Sequence, residues 1–524
     1  MGQARSLKKC WNKEMAMRIL KKYSEKINGI LSTFDRMIIR GYIRSLMYDT
    51  GRYFYLSQQK VLLKNFAQFT SDISENIKSH GKALAQKYGR PYIYLQSPTT
   101  DKEDYAKTIM NKDNITDGLI CILATLEMCS SVRIQKNPIK KKLELVKAPR
   151  KCLHLYYYFN DAILGFMHVR IQTWLPFTIQ IYINGREVLA KKMAKSNIDY
   201  KCYDNSFVDI SDLPKAQKLA KSIERKNWKF TFNHFAKFVN PHLSRLQQIF
   251  SHGYYWSIAQ CEFATDVMFD RRQSLELVYP DIVEHASRCF NADDVLGFLG
   301  KKYHGLFKGE LTTDRKRRPQ GYRVKHRVKN NSIKMYDKWN ILRIETTINN
   351  PTSFKVYRQV IRKGSKIRAW VRMGKSIMNL FYLAQIGLKA NKRYLDKLAD
   401  IPITAHLISN MEQLCKPIVL KNRRYSGFNP LSRESFCIFL AILDGAHNIN
   451  GFSNKDLRKL LFNSKRNDPK ISSQITRLLS KFRAHQLIAK IPRSFRYKVT
   501  DKGHSLMSCS LRIKKIEYPL LMAA

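Results

Sequence analysis

The chain has 524 residues, of which 94 are Lys or Arg and 41 are Asp or Glu, and its formal net charge is +53 at pH 7. A hydrophobic fraction of 44% is ordinary for a folded protein and excludes a disordered basic tail on a small core. A folded chain with this charge repels itself unless a polyanion neutralises it. DNA or RNA is therefore the expected partner, because Lys and Arg contacts to phosphate supply most sequence-independent affinity.

The sequence also excludes several other classes of protein. Its ten cysteines form no Cys-x-x-Cys pair and no Cys/His cluster with zinc spacing. No apolar run reaches the length of a membrane span, and residues 1–22 alternate charged and apolar side chains, unlike a secretion signal. The phosphate loop of ATP motors and the Gly-x-Ser-x-Gly elbow are absent. We therefore expect a protein of the reducing cytoplasm without a membrane partner.

The N-terminal part, residues 1–135, is predicted to be an α/β domain. Typical domain sizes divide a chain of this length into roughly three or four domains. Strands are predicted at 33–41, 91–95 and 118–124, and helices at 57–88 and from Thr99 onward. Because strands and helices alternate, at least one pair of strands should be parallel.

Residues 136–303 begin with a basic stretch, continue as a β-rich segment and end as a mainly helical one from about residue 186. Strands are predicted at 152–159, 165–172 and 177–183, and Asn184-Gly185 after the last of them is a strong turn signal. The aromatic run 156–159 must divide between the two faces of its strand, so at least half of it belongs to the core.

Residues 304–415 are predicted to form a basic meander of three antiparallel strands, at 321–329, 332–338 and 341–348, followed by an amphipathic helix at 374–400. Alternation places four cations of the first strand on one face, which is a natural track for phosphates. A basic run precedes this strand. The predicted nucleic-acid contacts of the region are Arg315, Lys316, Arg317, Arg318, Arg323, Lys325, Arg327 and Lys329.

Residues 416–430 have the composition of a linker, and residues 431–510 predict a compact C-terminal domain. The pattern indicates a helix from Ser432 to Gly445, a short helix capped by Ser453 with Asp456 three residues later, and a third helix at 470–486. Two short strands, at 487–491 and 495–499, and a final helix follow. The third helix has an apolar face and a polar face.

Three helices followed by a basic hairpin resemble the winged-helix domains of MarR-like bacterial regulators, and the phrase from Tyr497 to Gly503 is similar to a phrase common in their wings. The resemblance covers about the last 80 residues. It implies a third helix in the major groove and a wing on phosphate or the minor groove; the alternative is a winged helix that contacts protein. The implied groove-facing and wing residues are Ser472, Ser473, Gln474, Thr476, Arg477, Arg493 and Arg496.

The stretch from Lys334 to Glu345 is similar to the sequence near the catalytic tyrosine of some rolling-circle replication initiators. In those proteins a tyrosine attacks a DNA phosphodiester while a divalent metal polarises the phosphate. The resemblance implies Tyr336 as the nucleophile, with Lys334 and Lys338 stabilising its phenolate. It also implies a Mg²⁺ or Mn²⁺ ion held by Glu345, with Asp337 assisting.

The chain departs from those initiators because it has no His-hydrophobe-His metal motif. Its nearest substitutes are His154 and His168, on separate predicted strands, together with Glu262 and Asp266. Alternatively, four carboxylates on or beside predicted strands could converge for two-metal phosphodiester chemistry. These four are Asp35, Asp266, Asp337 and Glu345.

The sequence thus predicts an α+β multidomain protein with an N-terminal α/β unit, a central basic mixed α/β domain and a C-terminal winged helix. We expect site-specific DNA binding for a bacterial mobile element or plasmid-like replicon, with strand nicking or joining as a further activity. Two alternatives stay open. One is a non-catalytic transcriptional regulator, and the other is an RNA-binding protein that partners a structured transcript. The oligomeric state also stays open.

Overall fold

The computed structural model describes residues 18–301, 310–318, 321–362, 364–399, 411–420, 422–444, 451–462, 468–492 and 494–514. The chain forms two compact units, each assembled from segments that are distant in sequence. The sheet unit comprises Gly29–Asp266 and Glu345–Leu388, and the meander unit comprises Met1–Asn28, Val267–Ile344 and Lys389–Ala524. The sequence had predicted consecutive domains.

The sheet unit contains a mixed sheet in the strand order β9–β1–β6–β5–β4–β3–β2. Its strands are β1 (Ile27–Tyr42), β2 (Tyr92–Tyr94), β3 (Gly118–Lys136), β4 (Leu143–Asp161), β5 (Gly165–Gln172), β6 (Ile179–Asn184) and β9 (Tyr255–Phe269, most of it in this unit). Strands β2 and β3 are parallel, which confirms the predicted parallel pair. The pairs β3–β4, β4–β5, β5–β6 and β6–β1 are antiparallel.

Helices and two small hairpins complete the sheet unit. The helices are α2 (Asp49–Gln58), α3 (Phe66–Lys87), α4 (Lys102–Lys112), α5 (Gly185–Ala194), α6 (Leu213–Glu224), α7 (Trp228–Val239) and α8 (Leu243–Phe250), and α1 (Arg18–Lys22) precedes them in the meander unit. The hairpins are β7–β8 (Tyr200–Cys202 and Phe207–Ile210) and β14–β15 (Lys355–Arg362 and Ser365–Arg372).

Three sequence predictions in this unit were wrong in detail. The helix predicted at 57–88 is interrupted between α2 and α3, where Lys60 has a φ of 53°. Strand β9 was missed, because it is buried almost throughout and lacks the alternation that identifies a half-exposed strand. Asn184-Gly185 is the start of a helix and not a turn: the Asn184 side chain accepts a hydrogen bond of 3.0 Å from the backbone N–H of Arg186 and caps α5.

The aromatic run at the end of β4 divides between the two faces of the strand, as alternation requires. Tyr157 and Phe159 contact the ring of Phe238 in α7, whereas Tyr156 and Tyr158 contact the ring of His168 in β5. All four side chains of the run are buried. The run is therefore core and does not offer a surface on which bases could stack.

The meander unit is built on four antiparallel strands in sequential order, with helices packed on one face. The predicted three-stranded meander is confirmed, and the basic run before it forms a fourth strand. The elements are β10 (Leu311–Arg318), β11 (Gly321–Val328), β12 (Asn331–Lys338), β13 (Ile341–Ile348, its first half in this unit), α9 (Arg272–Arg288), α10 (Ala292–Phe298) and the second half of α11 (Leu380–Leu398).

The C-terminal segment, residues 432–514, also belongs to the meander unit. Its elements are α12 (Arg433–Ile442), α13 (Asn454–Phe462), α14 (Pro469–Ala484), β18 (Ile488–Lys490), β19 (Tyr497–Val499) and α15 (Asp501–Arg512). They enclose a hydrophobic core that includes Phe439, Leu457, Leu479 and Phe482. The predicted linker before it contains a small hairpin, β16–β17 (Ile418–Leu420 and Arg423–Tyr425). Within the described residues, no helix is long and apolar enough to span a membrane.

Candidate nucleic-acid interface

The meander has one face that concentrates positive charge. Cross-strand partners share a face of a sheet, and the register pairs Lys316 with Arg323 and Lys325 with Lys334. Alternation then assigns the other members, and Arg343 joins them because its guanidinium lies against the ring of Tyr336. We call this the cationic face; its members are Lys316, Arg318, Arg323, Lys325, Arg327, Lys334, Lys338 and Arg343.

The members of the cationic face differ in exposure. Lys316, Arg318 and Arg327 are exposed to solvent, but Arg343 is fully buried. Arg323 is 14% exposed and forms an ion pair of 3.1 Å with Asp314, the neighbour across the strand from Lys325. The exposed cations toward β10 are therefore the ones best placed to reach a phosphate.

The opposite face of the meander packs against helices. His326 is buried there, with its Nε2 3.1 Å from the hydroxyl of Tyr394 and its Nδ1 2.9 Å from the hydroxyl of Thr313. Burial lowers the pKa of His326 to about 3, so the ring is neutral. Arg315 also points to this side: it donates a hydrogen bond of 2.9 Å to Glu284 of α9 and lies over the ring of Tyr322. Its charge is already engaged within the protein.

Lys329 and Arg317 also differ from the predicted track. Lys329 lies in the turn after β11 with a φ of 54°, so it does not continue the row of cations along that strand. Arg317 is exposed, but its cross-strand partner is Tyr322, which places it on the helix-packed side of β10.

Tyr336 is half-buried on the cationic face of β12. The Nζ atom of Lys334 lies 5.6 Å from its ring centroid, and the guanidinium carbon of Arg343 lies 5.9 Å from it. Lys338 shares this face by alternation. The predicted nucleophile and both of its predicted lysines therefore occupy one positively charged face.

Asp337 does not join them, since neighbouring residues of a strand point to opposite faces. Its carboxyl group approaches Gly321, where an added Cβ would lie 2.7 Å from Oδ1. Burial raises the pKa of Asp337, and a hydrogen bond with the Tyr279 hydroxyl partly opposes that rise. Asp337 is therefore held against α9, on the face of β12 opposite Tyr336.

Asp35 and Asp266, on β1 and β9 of the sheet unit, meet through an arginine that the sequence analysis did not identify. The Nη1 of Arg186 donates a hydrogen bond of 2.7 Å to Asp266 Oδ2, and its Nε lies 3.4 Å from Asp35 Oδ2. Asn205 donates a further hydrogen bond of 2.8 Å to Asp35 Oδ1. All three charged side chains are at least 90% buried. A cation of the protein thus lies between two of the predicted metal ligands.

Glu262 and Glu345 lie near Arg36. The Nε of Arg36 is 4.0 Å from Glu262 Oε2, and the charges of Glu262, Asp35 and Glu345 raise the pKa of Arg36 against the opposing effect of burial. Four acidic side chains of the sheet unit therefore surround two arginines. Among the described residues, no three His, Cys, Asp or Glu side chains form a group that could hold a metal ion.

His154 and His168, the other predicted metal substitutes, are held by the sheet. His154 Nδ1 lies 3.1 Å from the carbonyl oxygen of Cys152, and burial lowers its pKa to about 4. His168 stacks on Tyr182 with centroids 5.1 Å apart, and burial lowers its pKa to about 3. The cross-strand partner of His168 is Tyr158, not His154. Both histidines therefore have structural partners.

Helix α14 of the C-terminal segment has the two faces that the sequence predicted. Ile475, Leu479 and Phe482 are buried in the core of the segment. The residues exposed on the other face include Ser473, Gln474, Thr476 and Arg477, and Ser472 is half-buried. The helix begins after Asp468, whose side chain caps it, with Pro469 in its first turn.

Two of the groove-facing candidates also connect α14 to α13. Asn454 of α13 donates hydrogen bonds of 2.9 Å to the carbonyl oxygen of Ser472 and to the hydroxyl of Thr476. Helix α13 is itself held at its start, where the backbone N–H and the hydroxyl of Ser453 donate to Asp456 at 2.9 and 2.8 Å. The contact from Asp456 back to the start of the helix is thus present as predicted. These contacts fix the orientation of α14 relative to α13.

The hairpin after α14 gives its cations different roles. Arg496 donates hydrogen bonds to the carbonyl oxygen of Gly451 at 2.8 Å and to Asp456 at 3.3 Å, so it anchors the turn of the hairpin. Lys498 lies 3.6 Å from Asp293. Phe495 is 89% exposed beside Ser494. Arg493, the other predicted contact of the hairpin, lies outside the described residues.

Sequence reasoning missed Arg186 and the exposed Phe495. Nothing in the sequence distinguishes Arg186 from a solvated helix residue, whereas Phe495 could have been found as an aromatic residue in a polar turn.

No protein-family model, curated protein or solved structure matches this chain.

Proposed function

We propose that the protein binds specific sites in duplex DNA and that its C-terminal segment is a winged-helix domain. The observation that carries the proposal is α14, a helix packed on one side whose other side exposes Ser473, Gln474 and Arg477. An α-helix fits the major groove, and Gln and Arg side chains can form paired hydrogen bonds with adenine and guanine.

The remainder of the segment supports the winged-helix assignment. Phe452 and Tyr497 exchange backbone hydrogen bonds of 2.9 and 2.7 Å, which joins the segment before α13 to the hairpin through a single β-bridge. Thr500 caps α15 by accepting a hydrogen bond of 3.0 Å from Gly503 N–H. An added Cβ at Gly503 would lie 2.0 Å from the carbonyl oxygen of Leu487. The phrase from Tyr497 to Gly503 therefore has a structural reason for its Thr and its Gly.

The cationic face of the meander supplies contacts to the sugar-phosphate backbone in this proposal. Phosphate contacts from its exposed members on β10 and β11 would position the protein on the duplex without selecting a sequence. The size of the chain before the C-terminal segment favours a protein of a bacterial mobile element or replicon over a simple regulator, which needs little beyond a winged helix and a dimerisation helix.

Equilibrium binding to a selected duplex, measured by fluorescence anisotropy with the full chain, tests the proposal. Arg477→Ala and Gln474→Ala should each weaken binding to the selected site about 5- to 150-fold, the range of 1–3 kcal/mol for a bidentate base contact. Arg483→Ala is the matched control, an exposed arginine at the end of the same helix. Equal affinities for all four proteins would contradict the proposal.

Strand cleavage by Tyr336 is a second candidate function, and the observation in its favour is the cationic face around that residue. Supercoiled plasmid carrying the native flanking DNA should be nicked in Mg²⁺ or Mn²⁺ by the wild type, with label trapped on the protein, and not by Tyr336→Phe. Binding without nicking by either protein would leave a non-catalytic DNA-binding regulator. Preferential binding to structured RNA would replace the DNA proposal.

A further inference from the structure

Strands β3 and β4 of the sheet unit extend beyond their other neighbours. Each strand has 19 residues, and their pairing continues to Lys136 opposite Leu143. Strand β2 pairs with β3 only at 122–124, and β5 pairs with β4 only from His154 onward. In the described chain, residues 126–153 therefore form a two-stranded antiparallel hairpin, which we call the ribbon.

The lower part of the ribbon is braced against the rest of the unit. The indole N–H of Trp174 donates a hydrogen bond of 3.0 Å to the carbonyl oxygen of Val132, and the guanidinium of Arg150 lies 3.8 Å from the Trp174 ring centroid. The backbone N–H of Leu145 donates to the Tyr53 hydroxyl at 3.1 Å. Leu145 pairs with Ile134, and beyond Ile134 strand β3 continues to Lys136, a distance of roughly 7 Å at about 3.4 Å per residue. The brace holds the direction of this outer part.

The tip of the ribbon is an ordered turn organised by Asn137. Its side-chain oxygen accepts hydrogen bonds of 3.0 Å from the backbone N–H groups of Ile139 and Lys140, and its backbone N–H donates to the carbonyl oxygen of Lys142 at 2.8 Å. This turn presents Pro138 and Ile139 outward, and the Ile139 side chain is 90% exposed. A large aliphatic side chain is thus held at the end of a rigid arm, away from the core.

Positive charge surrounds this apolar tip. Lys140 is engaged with Glu144 at 3.2 Å, but other cations of the outer ribbon are exposed on both strands and in the turn. The exposed cations are Arg133, Lys136, Lys141, Lys142 and Lys147. An exposed apolar side chain with cations on the adjoining strands and turn is the arrangement that architectural proteins use. Those proteins insert an apolar side chain between base pairs while the nearby cations contact the flanking phosphates.

We propose that the ribbon enters the minor groove of duplex DNA and that Ile139, with Pro138 beside it, wedges into a base step and bends the duplex. The proposal rests on the DNA-binding function proposed above and adds a second contact, in the sheet unit, that acts through DNA shape. Insertion partially unstacks one step and kinks the duplex by about 20–90°. Flexible pyrimidine–purine steps are bent at the lowest cost, so they are the preferred position for the wedge.

End-to-end energy transfer across a duplex of roughly 30 base pairs, labelled at both ends, measures the bend. Binding of the full-length wild type should raise the transfer efficiency. Ile139→Ala should abolish most of that rise, because the apolar side chain that enters the base step is removed. Its affinity for the duplex should fall less than about tenfold, because the cations that contact the phosphates remain. The control is Ile163→Ala, an isoleucine that is 49% exposed in the turn between β4 and β5. A transfer efficiency for Ile139→Ala equal to that of the wild type would contradict the insertion of Ile139 into the duplex.

The salt dependence of binding tests the cations. The triple variant Lys141→Ala, Lys142→Ala, Lys147→Ala should lower the slope of log affinity against log salt by about 0.9 for each phosphate that the variant leaves without a cation. The matched control replaces three exposed lysines elsewhere in the sheet unit, Lys64, Lys112 and Lys218, and should leave the slope unchanged.

The outcomes separate this proposal from the proposed function. If Arg477→Ala weakens binding while the ribbon variants match the wild type in slope and bend, the ribbon proposal fails and the DNA-binding function stands. If the wild type does not bind duplex DNA, both fail. If the ribbon variants lose binding only to vesicles containing anionic phospholipid, the ribbon contacts a lipid surface and the DNA proposal for it is overturned.

Discussion

Arg186 of the sheet unit and two arginines of the meander unit occupy opposite environments. In the sheet unit, Arg186 is buried between Asp35 and Asp266, with its Nε and Nη1 atoms directed at the two carboxylates. In the meander unit, Arg318 and Arg327 are exposed on the cationic face. The net charge of the sequence counts all of these arginines equally. Only a cation that the fold leaves exposed to solvent can neutralise a phosphate without first losing a carboxylate partner.

The meander shows the same distinction within a single strand. Arg315 binds Glu284 on the helix-packed side, whereas Lys316, the next residue, points to the cationic face and is exposed. Burial and ion pairing therefore decide whether a basic residue stabilises the protein or binds a ligand. Each prediction below tests one side of that difference.

The largest effect is expected at Arg186. Arg186→Met should lower the free energy of unfolding by about 3–5 kcal/mol, because it leaves two buried carboxylates without their cation. Urea unfolding followed by circular dichroism measures the change. Arg36→Met is the control: its side chain is 51% exposed, so the expected loss is at most about 1 kcal/mol. A similar small loss for both variants would show that the buried cluster does not depend on Arg186.

For the exposed cations of β10 we expect the opposite result, namely an unchanged free energy of unfolding and a changed affinity for DNA. Lys316→Ala combined with Arg318→Ala should leave the free energy of unfolding within about 0.5 kcal/mol of the wild type. The same variant should lower the salt slope of DNA binding by about 0.9 for each phosphate that is no longer neutralised. Arg315→Ala should not change the slope, since its guanidinium already binds Glu284. Equal salt slopes for the wild type, the double variant and Arg315→Ala would show that DNA phosphates do not contact Lys316 or Arg318.

The neutral His326 makes stability depend on pH, and its effect near neutral pH is small. Its pKa is lowered to about 3 in the folded protein, below the ordinary histidine value of 6.5, so the unfolded chain binds the proton more tightly. Stability from this group is complete above pH 6.5 and falls by about 1.4 kcal/mol for each pH unit below it, until the pH reaches the folded value. The urea midpoint of His326→Gln should depend less on pH over this interval. The exposed His234→Gln serves as the control and should retain the dependence of the wild type.

The sequence predicted much of the local structure because half-buried strands alternate. The meander and the strands β4 to β6 were identified in this way, whereas the parallel pair β2–β3 was expected because predicted strands and helices follow one another along the chain. Strand β9 was not, since a strand buried on both faces has no alternation to detect. The ion pairs of Arg186 join residues far apart in sequence, and no local pattern reports such pairing.

The candidate site was predicted less completely than the strands. Alternation alone could have shown that Asp337 points away from Tyr336, because the two residues are adjacent in β12. The exposed face of α14 followed from helical periodicity. The internal use of Arg496 could not have been predicted, because its partners Gly451 and Asp456 come from the region before α14.

Selection from a mixture of randomised duplex DNA and randomised structured RNA, with the wild type and Arg477→Ala side by side, tests the central claim most directly. We predict that the wild type enriches duplexes that share a short motif and that Arg477→Ala loses the preference at one position of that motif while still retaining duplexes. Enrichment of RNA by the wild type, or an identical motif from both proteins, would contradict the assignment of α14 as the helix that reads DNA.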